Sequence, residues 1–405
     1  MGMFSFLFPN NKEQSSIVFD INAESVGAAI VLSKDNSIPR IIYMCRESFR
    51  DGKGAERTAR QTIDAMQNAF LRIENFLAKN VFSHPIFRSY TPISAHYTFS
   101  EPWLESKIKT VTIEYSSPTL VTEKLISTIV EKEVKVFKQE LIDKLGGGKT
   151  HFTIVENKIT SIRLNGYEVE EYVGTKAKTV DVSLYISAIP TEIRDAVAFP
   201  AAGKVHPKKN YYASFSSAIT EVVKQNVAEK EFVVLDILGP MTQAFIVRHG
   251  LLAAQVTIPV GDNMLINTVA KRLSVSHMEA VSLLKMFFRD HAEHNSALEI
   301  KKITTETRSL WRKEFETTIN TLAEKISVPP LFFVLARSDE APFFVRALRR
   351  ESILEFGVDR IPVRQTLLTE ELLKSKISVD QDVSGDIVLS LLCAYFTSKR
   401  HYQQK

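Results

Sequence analysis

Two aspartates hold the chemistry that this sequence offers most directly. Asp20 ends the apolar run IVF and opens the turn INAES, while Asp236 ends FVVL and opens the turn ILGPMT. A carboxylate at a strand end can hold a hydrated magnesium ion, and a tight turn beyond it presents N–H groups and hydroxyls to phosphate oxygens. A single aspartate of this kind reads as the cap of a β-turn. Two at matching places read as turns on facing lobes that would clamp a triphosphate, so Asp20 and Asp236 are the candidate metal-side carboxylates.

Other chemistry-bearing stretches yield to simpler readings. LGGGKT, residues 145 to 150, looks like a phosphate loop until its spacing is counted. That motif requires a glycine where Asp143 stands, and a strand before it where the pattern is helical. Gly146 to Gly148 therefore read as a helix stop and a loop. His291 and His294, with Asp290 and Glu293, have no identifiable third ligand partner, and the stretch reads as solvated charge. Helices expected at 263–272 and 276–289 could form a DNA-binding helix-turn-helix, but the second is apolar from Met278 to Phe288 and is expected to be mostly buried. Cys45 and Cys393 are too few and too far apart for a disulfide framework or a zinc site.

The elements that must position the two aspartates repeat. Ile17 to Phe19, Val26 to Leu32 and Arg40 to Met44 form three strands joined by tight turns, and so do Phe232 to Leu235, Ala244 to Val247 and Leu251 to Ile258. Displacing the first meander by 216 positions places Val18 on Val234, Asp20 and Ile21 on Asp236 and Ile237, and Ala28, Ile30 and Val31 on Ala244, Ile246 and Val247, without a gap. So long a repeat implies two similar lobes rather than a solenoid. Residues 56–79 carry Ile63, Met66, Phe70 and Ile73 on one stripe, and residues 122–143 carry Leu125, Ile129, Val136, Phe137 and Leu141 on another, the pattern of helices that cover sheets. Around the second lie strands expected at 108–115, 152–155, 159–164 and 180–186, which together make a small inserted α+β piece. In the second half, Ser276 and Glu279 form a capping box, a long helix is expected at 301–326, and Ile387 to Phe396 form an apolar closing helix.

Composition sets the outer limits. The 405 residues are too many for one ordinary core, and 44% hydrophobic with 24% charged residues is globular rather than disordered. A net charge of +4 makes no demand for nucleic acid. No apolar run reaches the length of a spanning helix. The start MGMFSFLFPN is apolar and precedes a polar spacer, which suits contact with a membrane surface or a partner groove. Phe6 stands where an N-myristoylation motif needs Ser or Thr.

DINAESVGAAIV and LDILGPMTQAFIVRHG resemble the first and second phosphate motifs of actin-like ATPases, of the kind represented by the bacterial cell-division protein FtsA and the pilus-assembly protein PilM. The strand and two helices that follow the second motif, and the position of the inserted piece, are similar to that family across nearly the whole chain. The resemblance implies an α/β, actin-like (ribonuclease H-like) two-lobed fold with an inserted α+β subdomain of SHS2-like type. It implies an apolar N-terminal segment at 1–15, a first lobe at 16–104 and 188–231, the insert at 105–187, a second lobe at 232–258 and 327–405, and a helical subdomain at 259–326. It also implies ATP and magnesium as cofactors, with Asp20, Asn22, Ser25, Asp236, Gly239, Thr242, Gln243, Ala336 and Arg337 at the positions of the nucleotide loops. Implied partners are a tubulin-like division protein or the tail of a membrane protein of a pilus system, with self-association through the insert and a place at the cytoplasmic face of the membrane.

Departures from the family pattern bear on the cofactor. Asn22 replaces a family glycine, Leu238 and Pro240 replace two more, Met241 takes a threonine place and Gln243 a final aspartate, and Ala336 and Arg337 stand where the adenosine loop has glycines. Pro240 has no N–H to donate, and Leu238 and Met241 bring bulk where phosphate should approach. The expectation is a weak or absent nucleotide site on an actin-like scaffold, with a working ATP-binding switch and a kinase of the related sugar-kinase fold as the alternatives.

Overall fold

A computed structural model of the chain describes residues 13–49, 55–82, 87, 90–144, 150–198, 205–337, 339–348 and 364–398. The apolar start MGMFSFLFPN and the glycine run 146–148 lie outside these residues. The chain forms two compact units, Met1–Asn226 with Glu370–Lys405, and Val227–Thr369.

In the first unit, β1 (Gln14–Ile21), β2 (Ser25–Ser33) and β3 (Arg40–Ser48) form an antiparallel meander, and helix α1 (Ala55–Lys79) returns the chain so that β4 (Ser94–Phe99) lies parallel to β1. The insert follows: β5 (Glu105–Leu120), helix α2 (Glu123–Lys144), β6 (Phe152–Leu164), the short β7 (Tyr167–Glu168) and β8 (Lys176–Pro190). Helix α3 (Thr191–Ala198) leads to β9 (Asn210–Ser214), parallel to β4, and then to α4 (Phe215–Asn226).

The second unit opens with the meander β10 (Phe232–Asp236), β11 (Thr242–Arg248) and β12 (Leu251–Ile258), and continues through helices α5 (Asp262–Leu273), α6 (His277–Phe288) and α7 (His294–Ala323). Strand β13 (Leu331–Leu335) lies parallel to β10, and after α8 (Ala341–Leu348) β14 (Arg364–Leu367) lies parallel to β13. The chain then re-enters the first unit with β15 (Ser378–Val379), parallel to the edge strand β3, and α9 (Ile387–Ser398).

The two large sheets share one plan. Setting aside the two-residue β15, the orders β3-β2-β1-β4-β9 and β12-β11-β10-β13-β14 are the same meander followed by two parallel strands. The repeat extends to register: Asp20 faces Gly27 and Asp236 faces Gln243, partners that are again 216 positions apart. Each second strand breaks register with the third at the same step, Ile30/Val31 in one sheet and Ile246/Val247 in the other. Both central strands are buried on both faces, which is why β1 and β10 read as unbroken apolar runs.

Separate cores support these frames. Phe19 lies between Phe70 of α1 and Tyr97 of β4, with ring centroids at 5.0 and 5.1 Å. In the second unit Trp311 and Phe315 stack at 5.2 Å beneath β13, and both are fully buried. The insert has its own core between α2 and the sheet β5-β8-β6-β7. It is fastened to the body at Glu156, whose carboxylate accepts from the hydroxyl and N–H of Ser214 and from Lys158 at 2.5 Å.

Several sequence expectations need correction. The expected second lobe runs to 405, but Glu370–Lys405 belongs to the first unit. Helix α9 is buried without interruption from Val388 to Phe396, so it cannot be a surface helix, and it packs on β1, β2 and α4. The strands expected at 152–155 and 159–164 are one strand, β6, carried through polar residues by two register shifts. On α2 the buried stripe is Ile126, Ile129, Glu133, Phe137 and Leu141; Val136 lies off that stripe and is exposed, while Glu133 on it meets Lys109 at 2.6 Å. Helix α7 begins at His294 rather than 301, because its first two turns lack the apolar period. The capping box of Ser276 and Glu279 is present on α6, yet that helix is less buried than its composition implied. Only Ala280 and Leu284 are fully enclosed, and Met278 is 81% exposed.

The placement of α9 predicts where a core cavity is felt. Leu392→Ala should cost about 2–5 kcal/mol. Hydrogen exchange should then quicken in β1, β2 and α4 and stay unchanged in β10 and β13. Faster exchange in β10 and β13 alone would assign the helix to the second unit.

Candidate functional site

The first turn, Asn22 to Glu24, joins β1 to β2. Asn22 is its organiser: its Oδ1 accepts from the N–H of Glu24 at 3.0 Å and of Ser25 at 2.9 Å, and from the Ser25 hydroxyl at 3.2 Å, while its Nδ2 donates to Asp20 at 3.0 Å. These are the backbone N–H groups of the turn that the resemblance would give to a phosphate. Asp20 is 1% exposed, and the same Oδ2 also accepts from Arg46 Nη1 at 2.7 Å. Burial pushes the Asp20 carboxyl above its usual range, and the neighbouring guanidinium works against that push. Arg46 reaches on to Asp386, just before α9, with Nε at 2.7 Å from Oδ2. Burial disfavours the Arg46 charge, but Asp20 and Asp386 outweigh it and hold the guanidinium protonated.

The second turn, residues 237–241, joins β10 to β11. Asp236 Oδ1 accepts from the Leu238 N–H at 3.2 Å, a local turn cap. Gly239 adopts φ +101, a region that only glycine enters freely, and its N–H donates to Asp262 Oδ1 at 2.7 Å. Asp262 is 1% exposed at the start of α5, and its other oxygen lies 3.2 Å from Arg337 Nε. Gly261, which caps α5, presses against this turn: a Cβ there would lie 2.2 Å from the Gly239 carbonyl oxygen. Arg337 also approaches Glu340 at 3.9 Å; burial raises the Glu340 carboxyl and Arg337 opposes the rise.

The sequence-predicted residues thus fall into two groups, each within its own unit. Asp20, Asn22 and Ser25 form one hydrogen-bonded cluster. Gly239 and Arg337 meet through Asp262 in the other, while Asp236 caps its own turn. Thr242 is fully buried: its hydroxyl donates to Val260 O at 2.7 Å and accepts from Trp311 Nε1 at 3.1 Å. Gln243 and Ala336 are buried as well. Among the described residues no group of three or more His, Cys, Asp or Glu is placed to hold a metal ion. Burial raises the Cys45 thiol to about 11 and the Cys393 thiol also upward, so neither offers a thiolate nucleophile.

Magnesium and a phosphate chain do not fit the turns as they stand. At Asp20 a cation is already in contact, and the adjoining N–H groups already have an acceptor. At Gly239 a phosphate would replace a buried carboxylate that Arg337 neutralises. Arg46, Asp262 and Asp386 escaped the sequence reading because they lie on other elements. Signals exist for two of the three: Asp386 stands before an apolar run as a helix cap does, and counting the β2–β3 register places Arg46 opposite Gly27.

The Thr242 contacts separate a ligand role from a structural one. Thr242→Val leaves the Trp311 N–H buried without its acceptor and should lower stability by about 1–3 kcal/mol, read as a lower melting temperature, whereas Thr242→Ser retains it. A valine variant as stable as the parent would return Thr242 to the ligand-facing side.

No protein-family model matches the chain, and no curated protein matches it in sequence. Solved structures do. PilM in a PilM–PilN type IV pilus biogenesis complex aligns over 95% of this chain and 98% of its own, with 12% identity and a TM-score of 0.56. The ethanolamine utilization protein EutJ of Carboxydothermus hydrogenoformans aligns over 95% of this chain and 90% of its own at 12% identity, with a TM-score of 0.40. Together with the doubled meander-and-parallel sheets, the first of these likenesses establishes the actin-like, ribonuclease H-like fold for this chain.

Proposed function

We propose that the chain is an actin-fold scaffold with a weak or lost nucleotide site, working through protein partners at the cytoplasmic face of a membrane. One observation carries this reading: the donors of both phosphate turns are engaged by the chain's own side chains, Asn22 in one unit and Asp262 in the other. A turn that is satisfied internally has nothing to gain from nucleotide, and a scaffold has no need of hydrolysis.

Type IV pilus assembly is the preferred setting, because a likeness over 95% of this chain, with a TM-score of 0.56, is to the PilM–PilN type IV pilus biogenesis complex. The partner is then the tail of a membrane protein. A tubulin-like division protein is the partner in the alternative setting, and a binding assay with each separates the two. Among the described residues no helix is long and apolar enough to cross a membrane. Membrane contact is assigned in this proposal to residues 1–10 or to the partner.

Two measurements test the reading. A nucleotide bound with a dissociation constant of about 100 µM would add about 2 kcal/mol at roughly 5 mM ligand; the expectation is no shift of melting temperature with Mg-ATP. A clear upward shift would replace the scaffold by an ATP-dependent switch. Deleting residues 1–10 should lower binding to liposomes or to the partner peptide while the melting temperature stays constant, and unchanged binding would remove the N-terminal contact from the proposal.

A further inference from the structure

We infer that Arg46 is the resident cation of the first unit, a side chain that takes the place of a divalent metal and joins the turn at Asp20 to the C-terminal helix. This rests on the reading above that the turn takes no nucleotide. Asp20, Gly27 and Arg46 occupy one row across β1, β2 and β3. The guanidinium lies over Gly27, where an added Cβ would approach Nη2 to 2.8 Å, so glycine leaves the side chain room to cross the middle strand as it does. From there it donates Nη1 to Asp20 Oδ2 at 2.7 Å and to the Ser25 hydroxyl at 2.9 Å. It gives Nε and Nη2 to the two oxygens of Asp386 at 2.7 and 3.2 Å.

This is the donor set that a hard cation would coordinate: two carboxylates and a hydroxyl, all oxygen. A guanidinium satisfies it with a planar, permanently charged fork that is covalently part of the chain. Asp386 also accepts from the Leu389 N–H at 3.1 Å, so the same carboxylate caps α9 and grips Arg46. The corresponding row of the second sheet reads Asp236, Gln243 and Thr257, with neither a glycine to lie over nor a cation. The arginine is therefore a feature of the first unit, not of the repeated frame.

The test uses the full chain and metal alone, without nucleotide, so that it is read independently of the Mg-ATP experiment. Arg46→Ala leaves two carboxylates facing each other and should lower the melting temperature by roughly 5–15 °C. Manganese at roughly 5 mM should recover at least half of that loss in the alanine variant. It should recover none in Asp20→Asn/Arg46→Ala, and it should leave the wild type unmoved. Arg46→Gln, neutral and of similar length, carries the same metal readout if the alanine variant does not fold. An alanine variant as stable as the parent, a metal response in the wild type, or no metal response in either variant that folds would each overturn the assignment. A chain that bound Mg-ATP while the variants behaved as expected would instead refute the nucleotide-free reading alone.

Discussion

Burying the charge of Asp20 is the constraint on which the first unit depends. A carboxylate at 1% exposure pays a large desolvation cost unless a counter-charge meets it, and removing one member of such a pair is far worse than never having built it. Arg46 meets that need, and its reach fixes much else. The β2–β3 register brings it opposite Gly27, where no side chain crowds it, and the far end of the fork must find a second acceptor. Asp386 is that acceptor. The closing helix is thus held at its first turn by an ion pair and along its length by apolar burial, which places it in the unit where the chain began.

The second unit meets the same backbone frame with different side chains. Its carboxylate of record is Asp262 rather than Asp236, and it arrives from a helix start rather than a strand end. Negative charge at a helix N-terminus is favoured by the helix dipole, and Arg337 completes the neutralisation. Gly261 and Gly239 are the two places where that arrangement needs glycine, one for close approach and one for a positive φ. The frames coincide down to the register shift of the second strand, yet the side chains that engage the two turns come from different elements.

That contrast explains what was legible in the sequence. Strand runs buried on both faces are continuous and apolar, so both meanders and their displacement by 216 positions could be read directly, and the resemblance of their turns to actin-like phosphate motifs implied the fold. Losses of glycine could be read too, because Asn22, Leu238 and Pro240 sit at known places in a repeated turn. What took the glycines' place could not. Arg46 comes from the third strand, Asp262 from a helix beyond it, and Asp386 from the far end of the chain, and no local pattern links any of them to the turn it fills. The return of the closing helix to the first unit was hidden for the same reason, since sequence order places it after the second unit's last strand.

The two aspartates that most resemble metal ligands each have partners within the chain. Asp236 caps its own turn through the Leu238 N–H, and Asp20 anchors Asn22 and Arg46. Turn physics alone is sufficient to preserve a carboxylate at a strand end, so its presence does not distinguish a nucleotide loop from the loop's structural remainder. The distinguishing groups are the N–H donors beyond it. Where these point outward unpaired, a phosphate has a reason to bind; where Asn22 and Asp262 already receive them, the turn is complete. A fold completed in this way holds its local shape without a ligand, which is the property a scaffold needs and a nucleotide switch must avoid.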